Sequence, residues 1–272
     1  LTFKKYLDEV GKKVIGKNYS KDRFPILVKF IDAKNPLSIQ VHPEDDYALK
    51  NEGDYGKTEV WYIMEAKEDA FLYYGFNKKM DKKEVRQAIK DGSLLDHLAK
   101  KPVQKGDVVF IEAGTVHAIN EDIMVCEIQQ NSNVTYRVYD YQRKDKNGRL
   151  RDLHIDQAQD VANLSPSRPP SFDQENTIAS NLTTIAKCDY FTSYKGSLKK
   201  ERLNHKINEN SFHSLIFLDG QGRLVMKDQV LEFKKGDSFF VPAQDSNYTI
   251  AWDFNNDKVL EYIRSLRDDD LY

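Results

Sequence analysis

Short apolar runs rich in β-branched and aromatic residues recur along this chain of 272 residues, and they constrain its fold more than any other feature. In the first half they include ILVKFI (26–31), TEVWYIM (58–64), AFLYYGF (70–76) and IMVCEIQ (123–129), with Gly, Asn or Asp between them. Runs of this length bounded by turn residues are typical of β-strands in a sandwich or barrel. We therefore predict a mainly β protein rather than a helical one.

A repeated segment relates the two halves of the chain. VQKGDVVFIEAGTVHAI (103–119) aligns with EFKKGDSFFVPAQDSNYTI (232–250), so that Gly106 matches Gly236. A repeated β-unit with many short strands predicts two small barrels or jelly rolls. His117 of the first copy falls on Asn247 of the second. We therefore expect any chemistry that needs this histidine to lie in the first half.

Interruptions of the strand pattern suggest where the chain divides. Residues 3–15 have the apolar spacing of a helix, and residues 80–100 read as two short helices inserted among strands. The charged loop 143–152 and the proline-rich segment 165–171 separate the two sets of strands. We predict an N-terminal helical remnant at 1–24, a first barrel at 25–150 with a helical insertion at about 78–101, and a second barrel at 151–272.

Charge and cysteine content exclude several classes of protein. The formal net charge is −2, so no basic excess indicates a nucleic-acid partner, and the apolar runs are too short to span a bilayer. The two cysteines, Cys126 and Cys188, lie in strand-like apolar runs, which fits a reducing compartment better than a disulfide framework. With no visible signal peptide, we expect a cytoplasmic protein that binds neither nucleic acid nor membrane. The sequence leaves the oligomeric state open.

Polar side chains interrupt the strands of the first half at several positions. Gln40 and His42 share one face of the LSIQVH strand, Glu59 begins an apolar strand, and His117 precedes another. A buried carboxylate is normally paired or bound to a metal ion. Two imidazoles and one carboxylate form a zinc site with an open coordination position, and Gln40 could add a neutral oxygen. Such a site is net positive, which favours a neutral or anionic oxygen substrate.

Taken one by one, these residues have simpler explanations. A lone strand histidine is usually a hydrogen-bonded structural residue, and Glu59 alone resembles a carboxylate at a sheet edge. Their combination is what predicts a metal site. His97 reads as a surface or packing residue and His154 as a residue that caps or packs a helix. We assign no chemistry to the second-half histidines, His205 and His213.

Further polar residues accompany the predicted site. Arg137 and Tyr139 are expected on one face of the VTYRVYDY strand, and an arginine inside a sheet contacts an anion or forms an ion pair; the alternative is a surface cation. Lys57 shares the side of Glu59 in an extended segment, so it faces either the same cavity or, in a loop, solvent. Glu127 alternates with apolar neighbours and faces either a pocket or a wet surface.

Several motifs carry a resemblance to a known family. GDVVFIEAGTVH (106–117) resembles the cupin signature, with Glu112 at the usual proline position. FPILVKFIDAKNPLSIQVHPEDDYA, GKTEVWYI, AGTVHAI and NSNVTYRVYDY together resemble the bacterial class I mannose-6-phosphate isomerases, also called phosphomannose isomerases. The match covers most of 24–143, and the remainder resembles the degenerate second cupin of that family. The resemblance implies two cupin-type jelly-roll barrels with a small helical insertion.

The resemblance also implies an activity and a set of residue roles. It implies an aldose–ketose isomerase that interconverts mannose 6-phosphate and fructose 6-phosphate through an enediolate. The family normally has an N-terminal segment ahead of the point where this chain begins, so we expect a lost segment or a shortened variant. The implied roles are Gln40, His42, Glu59 and His117 as ligands of one Zn²⁺ per chain, Arg137 and Lys57 as active-site cations, Ser38 near the phosphate, and Glu127 lining the pocket.

The mechanism leaves one role open and has two rivals. Arg137 is expected to stabilise the oxyanion, Lys57 and Ser38 to hold the phosphate or sugar hydroxyls, and Glu127 or Lys57 to act as the general base. One rival is a non-haem iron oxygenase, because two histidines and a carboxylate also bind iron, although Gln40 counts against it. The other is a non-catalytic protein that binds a phosphosugar.

Overall fold

A computed structural model describes residues 2–17, 19, 23–144, 146–168, 177–179, 181–253 and 260–266. The predicted mainly β fold is confirmed, since strands dominate the described chain. Contacts divide the chain into two compact units, which we call the first unit (residues 26–170) and the second unit (residues 1–25 with 171–272). Among the described residues, no helix has the length and apolar character needed to cross a bilayer.

The helices are short and few beside the strands. They are α1 (Phe3–Val10), α2 (Asp45–Asn51), α3 (Lys82–Asp91) and α4 (Ile155–Val161). The strands of the first unit are β1 (Ile26–Ala33), β2 (Ile39–Val41), β3 (Glu59–Ala66), β4 (Phe71–Phe76), β5 (Leu98–Pro102), β6 (Val108–Ile111), β7 (His117–Ile119), β8 (Ile123–Gln130) and β9 (Tyr136–Tyr139). Those of the second unit are β10 (Thr177–Ala179), β11 (Leu182–Lys187), β12 (Thr192–Leu198), β13 (Arg202–Ile207), β14 (His213–Asp219), β15 (Gln221–Met226), β16 (Gln229–Lys234), β17 (Ser238–Val241), β18 (Ser246–Trp252) and β19 (Leu260–Leu266).

Two antiparallel sheets face each other in the first unit. Their orders are β1-β8-β3-β6 and β5-β4-β7-β2-β9. Trp61 and Ile63 of one sheet and Leu72 and Ile119 of the other lie in one buried apolar cluster between them. Because strand side chains alternate, one side of each strand faces this interior. Gln40, His117 and Glu59 are on that interior side.

Helices cover the outer side of the second of these sheets. Ile39 and Val41 of β2 pack there with Val85 of α3 and Ala158 of α4. Helix α4 therefore packs on the first unit, which continues past the predicted barrel limit at residue 150 to residue 170. The domain limits predicted from the sequence, at residues 24 and 150, remain a prediction. Because these helices cover the outer side of the sheet, the polar side of β2 faces the interior.

The predicted helical insertion forms, with one difference. Helix α3 begins at a capping box, in which Asp81 accepts from the main chain of Glu84 and the Glu84 side chain accepts from that of Asp81. It ends at Gly92, whose φ of 80° is the left-handed conformation that favours glycine. The expected second helix is only a 3-10 turn at Leu94–His97, which leads straight into β5.

Two other sequence-based expectations differ from the structure. The predicted helix at 3–15 ends at Val10, because Gly11 adopts a φ of 79° and the chain continues as a separate 3-10 turn at Lys12–Val14. A register shift in the β2–β9 pairing changes the expected faces of β9, since Ile39 lies opposite Tyr139 and Gln40 opposite Arg137. Tyr139 therefore packs on the outer, helix-covered side, and Arg137 does not share its face.

The second unit repeats the two-sheet plan. Its sheets have the orders β10-β11-β12-β19-β14-β17 and β13-β18-β15-β16, and one apolar cluster fills the space between them. The repeated turns match closely: Gly106 donates to Ile63 and Gly236 donates to Phe217, both at 2.8 Å. The shared turn supports the internal repeat that the sequence indicates.

The register of the repeat differs from the sequence alignment after this turn. His117 lies opposite Gln40, and in the corresponding pair of strands Tyr248 lies opposite His205. Tyr248 lies in the apolar cluster between the two sheets, and it follows the last residue of β17, Val241, by seven positions, whereas His117 follows the last residue of β6, Ile111, by six. The position of His117 is therefore occupied by Tyr248, and the alignment with Asn247 was wrong by one residue.

Candidate metal centre and active site

The two histidines of the interior cluster are oriented by main-chain carbonyl groups. His42 lies just after β2, and its Nδ1 is 3.0 Å from the carbonyl oxygen of Val134. His117 begins β7, and its Nδ1 is 2.8 Å from the carbonyl oxygen of Thr115. A carbonyl only accepts, so each Nδ1 carries the proton and each Nε2 keeps a lone pair. Both side chains are almost fully buried.

Glu59 provides a carboxylate between these two lone pairs. Its Oε1 lies 3.4 Å from Nε2 of His42, and its Oε2 lies 3.9 Å from Nε2 of His117. One ligand atom from each of the three residues lies within 4.8 Å of the others. Ligands about 2.1 Å from a tetrahedral zinc ion are roughly 3.4 Å apart, so the three residues fit such an ion with little adjustment.

Burial and charge set the protonation states of the cluster. Burial lowers the pKa of His117 to about 3, helped by the neighbouring His42, and burial and Lys57 lower the pKa of His42. Burial opposes ionisation of Glu59 most, but Lys57 and the imidazoles hold its pKa well below the usual value. The cluster therefore combines neutral imidazoles with an ionised carboxylate, which are the forms that bind a metal.

Buried polar atoms without partners support this interpretation. Nε2 of His42 and Oε2 of Glu59 are buried and have no hydrogen-bond partner among the described residues. Such atoms are costly in a folded protein unless something compensates them. A divalent ion would satisfy both at once. The residues present therefore fit a metal ion.

Gln40 adds an amide group at the edge of the cluster. It lies directly opposite His117 in the β2–β7 pairing, and its amide is 3.3 Å from Nε2 of His117. Either the oxygen or the nitrogen of an amide can face a neighbour, because the two ends are interchangeable in shape. A rotated amide would present its oxygen toward the same point.

Lys57 is buried rather than solvated. Its side chain is 6% exposed, and its Nζ lies 2.7 Å from Oε1 of Glu59. Of the two interpretations that the sequence left open, a solvated lysine does not fit the structure, in which Lys57 is buried against Glu59. Ser38 is also buried and lies immediately before β2, two residues ahead of Gln40.

Arg137 lies on β9, the strand that pairs with β2 at the edge of the same sheet. It lies opposite Gln40, and directly paired residues project from the same face of an antiparallel sheet. Its Nη1 donates to the carbonyl oxygen of Asp152 at 3.0 Å, while its Nε is buried without a partner among the described residues. Its main-chain N–H donates to Nδ1 of His154, the residue that precedes α4, at 3.1 Å. This bond fixes the backbone at Arg137, and the buried Nε–H of the side chain remains without a partner among the described residues.

Glu127 lies in a pocket and not on a wet surface. It is 3% exposed; its Oε2 accepts from Nε1 of Trp61 at 3.0 Å, and its Oε1 accepts from Nζ of Lys29 at 2.8 Å. Burial, together with the nearby Glu59, raises the pKa of Glu127, against the opposing effect of Lys57 and Lys29. The carboxyl is therefore held in place by two donors with its pKa shifted toward neutral pH.

Sequence reasoning missed Lys29 and Trp61 as parts of this site. Lys29 also contacts the side-chain oxygen of Gln129, on the strand that carries Glu127. The available signal was that Lys29 is the single lysine inside the apolar run ILVKFI. It stands at a position that a half-buried strand can direct toward the interior. Trp61 gave no separate signal, because a tryptophan in a core strand is ordinary.

Two facing antiparallel sheets with a buried His–Glu–His cluster on their inner side define a cupin-type protein with a candidate metal centre. Residues 1–91 match the family model for the phosphomannose isomerase type I catalytic domain. Residues 181–253 match the model for the mannose-6-phosphate isomerase cupin domain. The matches come from both halves of the chain.

Relatives with known names agree with these matches. The chain is 38% identical over 249 residues to the mannose-6-phosphate isomerase of Streptococcus mutans, covering 91% of this chain and 76% of that protein. It is 39% identical over 224 residues to mannose-6-phosphate isomerase ManA of Bacillus subtilis, covering 81% and 70%. The chain therefore belongs to the mannose-6-phosphate isomerase family, and it is an enzyme of the isomerase class.

Solved structures share the fold. The crystal structure of a mannose 6-phosphate isomerase from Bacillus subtilis matches with a TM-score of 0.85 at 35% identity, covering 95% of this chain and 80% of that one. A zinc-bound mannose 6-phosphate isomerase matches with a TM-score of 0.73 at 16% identity, covering 97% and 85%. At that identity the second likeness shows the fold alone.

Proposed function

We propose that this enzyme interconverts mannose 6-phosphate and fructose 6-phosphate, using one Zn²⁺ held by Gln40, His42, Glu59 and His117. The observation that carries the proposal is the convergence of three buried ligand atoms, from His42, Glu59 and His117, within 4.8 Å. The family relationship supports the substrate, and the neutral imidazoles and ionised carboxylate support a metal. When bound, zinc supplies Lewis-acid polarisation of the sugar carbonyl, which makes the adjacent C–H acidic.

The residues around the centre divide the remaining work. In the forward direction a base removes the proton from C2 of the open-chain aldose; the C–H electron pair forms the C1–C2 double bond of an enediolate, and the carbonyl pair moves to O1. The hydroxyl proton then passes from O2 to O1, the C2 carbonyl forms, and the double-bond pair takes the proton back at C1. Arg137 stabilises the negative oxygen, since its guanidinium is permanently charged and its buried Nε lacks a partner among the described residues. Ser38 and Lys57 orient the phosphate or the sugar hydroxyls.

Glu127 is our candidate for the base. Burial raises its pKa toward the range in which a carboxylate can both accept and return a proton. Lys29 and Trp61 hold both of its oxygens, so the carboxylate is oriented before substrate arrives. Lys57 is the less suitable alternative, because its ammonium contacts the carboxylate of Glu59.

Metal removal tests the function directly. Isomerisation of mannose 6-phosphate, followed in a coupled assay, should disappear after dialysis against a chelator and return when about one equivalent of Zn²⁺ is added. Bound metal is measured by mass spectrometry in the same samples. His97→Ala, which removes a histidine of the 3-10 turn, is the matched control and should behave as the unaltered protein. Full activity in metal-free protein would overturn the zinc proposal.

The same samples separate the two rivals. Oxygen consumption in the Fe²⁺-loaded protein would favour an oxygenase. Binding of mannose 6-phosphate without turnover, measured by calorimetry, would favour a non-catalytic phosphosugar-binding protein. We further propose a cytoplasmic location, with which the free thiols of Cys126 and Cys188 agree.

A further inference from the structure

The second unit contains a buried polar cluster that the proposed reaction does not use. His205, His213 and Arg264 are each about 95% buried and lie among the tyrosines of the second core. The two histidines had no assigned role on sequence grounds. Their positions can be compared with the metal centre through the strand pairings of the two units, which share the glycine turn before β6 and β17.

The first pair of corresponding positions is Glu59 and His213. Glu59 is the first residue of β3, which pairs with β6, and His213 is the first residue of β14, which pairs with β17. The strands β6 and β17 both follow the repeated glycine turn. Glu59 lies opposite Ile111, and His213 lies opposite Val241, the residue that the repeat aligns with Ile111. The metal-binding carboxylate of the first unit is therefore an imidazole in the second.

The second pair is Glu127 and Arg264. Glu127 on β8 lies opposite Trp61, two residues after Glu59. Arg264 on β19 lies opposite Leu215, two residues after His213. The acidic residue beside the proposed metal centre is therefore replaced by a cation.

The remaining pairs lie on the other sheet. Gln40 lies opposite His117, as His205 lies opposite Tyr248. His42 follows Gln40 by two residues, and the residue two positions after His205 is the buried Ile207. In the second unit, imidazoles therefore stand at the positions of Gln40 and Glu59, and a phenol stands at the position of His117. The position of His42 is apolar, and no carboxylate remains at the four positions.

Arg264 occupies the centre of this second cluster. Its Nη1 lies 2.8 Å from Nδ1 of His205; burial raises the pKa of the Tyr248 hydroxyl, and the positive charge of Arg264 lowers that pKa by less. The hydroxyl of Tyr248 lies 2.8 Å from Nδ1 of His213. The guanidinium carbon lies 4.7 Å from the centre of the Tyr194 ring, within the range of a cation–π contact. One cation therefore interacts with residues that correspond to two of the four proposed ligands.

The hydrogen-bond donors fix the protonation of this network. A guanidinium only donates, so Nδ1 of His205 accepts and the proton of that ring lies on Nε2, which is 2.8 Å from the hydroxyl of Tyr262. The Tyr248 hydroxyl can donate to Nδ1 of His213, which lies 2.8 Å away. No carboxylate pairs with Arg264 within the described part of the chain; His205 and the ring of Tyr194 contact its guanidinium, and its buried Nε has no partner among the described residues.

We propose that Arg264 is a built-in cation that takes, in the second unit, the place of the metal ion proposed for the first. The buried polar cluster of the second unit then forms without any ion from solution, and its two histidines do not bind metal. This inference rests on the proposed metal centre only for the comparison. It predicts that removing the guanidinium opens a site for a transition metal between His205, Tyr248 and His213.

The first test uses the unaltered protein. Nitrogen-15 NMR resolves the imidazole signals while Zn²⁺ is added to chelator-treated protein. The signals of His42 and His117 should move, whereas those of His205 and His213 should not. Movement of the His205 or His213 signals at the first or a later equivalent would overturn the inference.

The second test removes the cation. Arg264→Ala, shown to be folded by hydrogen exchange of β13 and β18, should raise bound Zn²⁺ or Co²⁺ from about one to about two ions per chain. The double variant Arg264→Ala with His205→Gln should return to one, and Arg264→Lys, which keeps the charge, should stay at one. A folded Arg264→Ala protein with no extra ion would refute the inference. If that variant does not fold, the NMR titration decides.

The outcomes separate the two proposals. If the unaltered protein binds no metal at all, the proposed function fails, and gain of one ion by Arg264→Ala still supports the built-in cation. If His42 and His117 bind metal but His205 and His213 bind it as well, the proposed function stands and the built-in cation fails.

Discussion

The indole Nε1 of Trp61 donates to Oε2 of Glu127 at 3.0 Å, across the β3–β8 pair. The same indole packs edge-on to the ring of His117, with centroids 5.3 Å apart. One side chain thus contacts both the candidate base and a proposed metal ligand. Trp61 is therefore a positioning residue whose hydrogen bond can be removed while most of its bulk is kept.

Trp61→Phe should lower turnover by about tenfold and move the acidic limb of the kcat profile to higher pH. A hydrogen bond to a charged group contributes about 1.5–3 kcal/mol, and its loss destabilises the ionised carboxylate. Initial rates from pH 5 to 9, with metal content measured alongside, check this. Trp252→Phe removes another buried indole, in the second unit, and should leave the profile unchanged. Equal effects of the two substitutions would contradict a specific role for Trp61.

Arg137→Ala should reduce kcat by about 10²–10³-fold, the usual loss when an oxyanion donor is removed. Bound metal should not change, because Arg137 lies beside Gln40 and is not itself a proposed ligand. Steady-state kinetics and metal analysis of the same preparation test both statements. Arg151→Ala, which removes a nearby and half-exposed guanidinium, serves as the control. Unchanged kcat in Arg137→Ala would remove Arg137 from the mechanism.

His42→Ala should abolish stoichiometric metal binding, whereas Gln40→Ala should weaken it more modestly. His42 offers a buried lone pair already oriented by Val134, whereas the amide of Gln40 has to rotate to present its oxygen. Competition with a chromophoric chelator measures both affinities. If Gln40→Ala proved as damaging as His42→Ala, the amide would be a full ligand and not an auxiliary one.

The second unit should lose stability as the pH falls below about 6.5, the ordinary pKa of histidine. Burial and Arg264 lower the pKa of His205 to about 2 and hold the pKa of His213 well below its usual value. At pH values between the lowered and the ordinary pKa of histidine, His205 and His213 bind protons in the unfolded chain but not in the folded chain. The free energy of unfolding should therefore fall by up to about 1.4 kcal/mol per pH unit for each histidine.

Hydrogen exchange of β14 and β18 between pH 4.5 and 7.5 follows this unit separately from the rest of the chain. His213→Gln should reduce the slope by one proton, even if it lowers stability at every pH. A slope that does not change in His213→Gln would mean that this histidine is already protonated in the folded state.

Most of the candidate centre was predictable because each of its residues interrupts an apolar strand. Gln40 and His42 alternate with the apolar Ile39 and Val41, so their common face could be deduced, whereas Glu59 begins a continuously apolar strand, TEVWYIM. Lys29 interrupts a strand in the same way, but a lysine can extend to solvent from a half-buried strand, so its pairing with Glu127 needed coordinates.

The failures came from single-residue shifts in register. Strand alternation has a period of two, so one extra residue moves a side chain to the opposite face. The register shift beside β2 removed Tyr139 from the face of Arg137, and one additional residue between the end of β17 and the interior position of β18 replaced Asn247 with Tyr248. Neither shift changes composition or hydrophobic pattern enough to be read from one sequence.

Both imidazoles of the candidate centre are anchored by peptide carbonyls, those of Val134 and Thr115. A substitution at either position exchanges a side chain but cannot delete the acceptor. Mutational drift at these sites therefore leaves the tautomers intact, whereas an inserted or deleted residue in either loop would carry the carbonyl away. The centre should tolerate sequence divergence around it far better than changes in loop length.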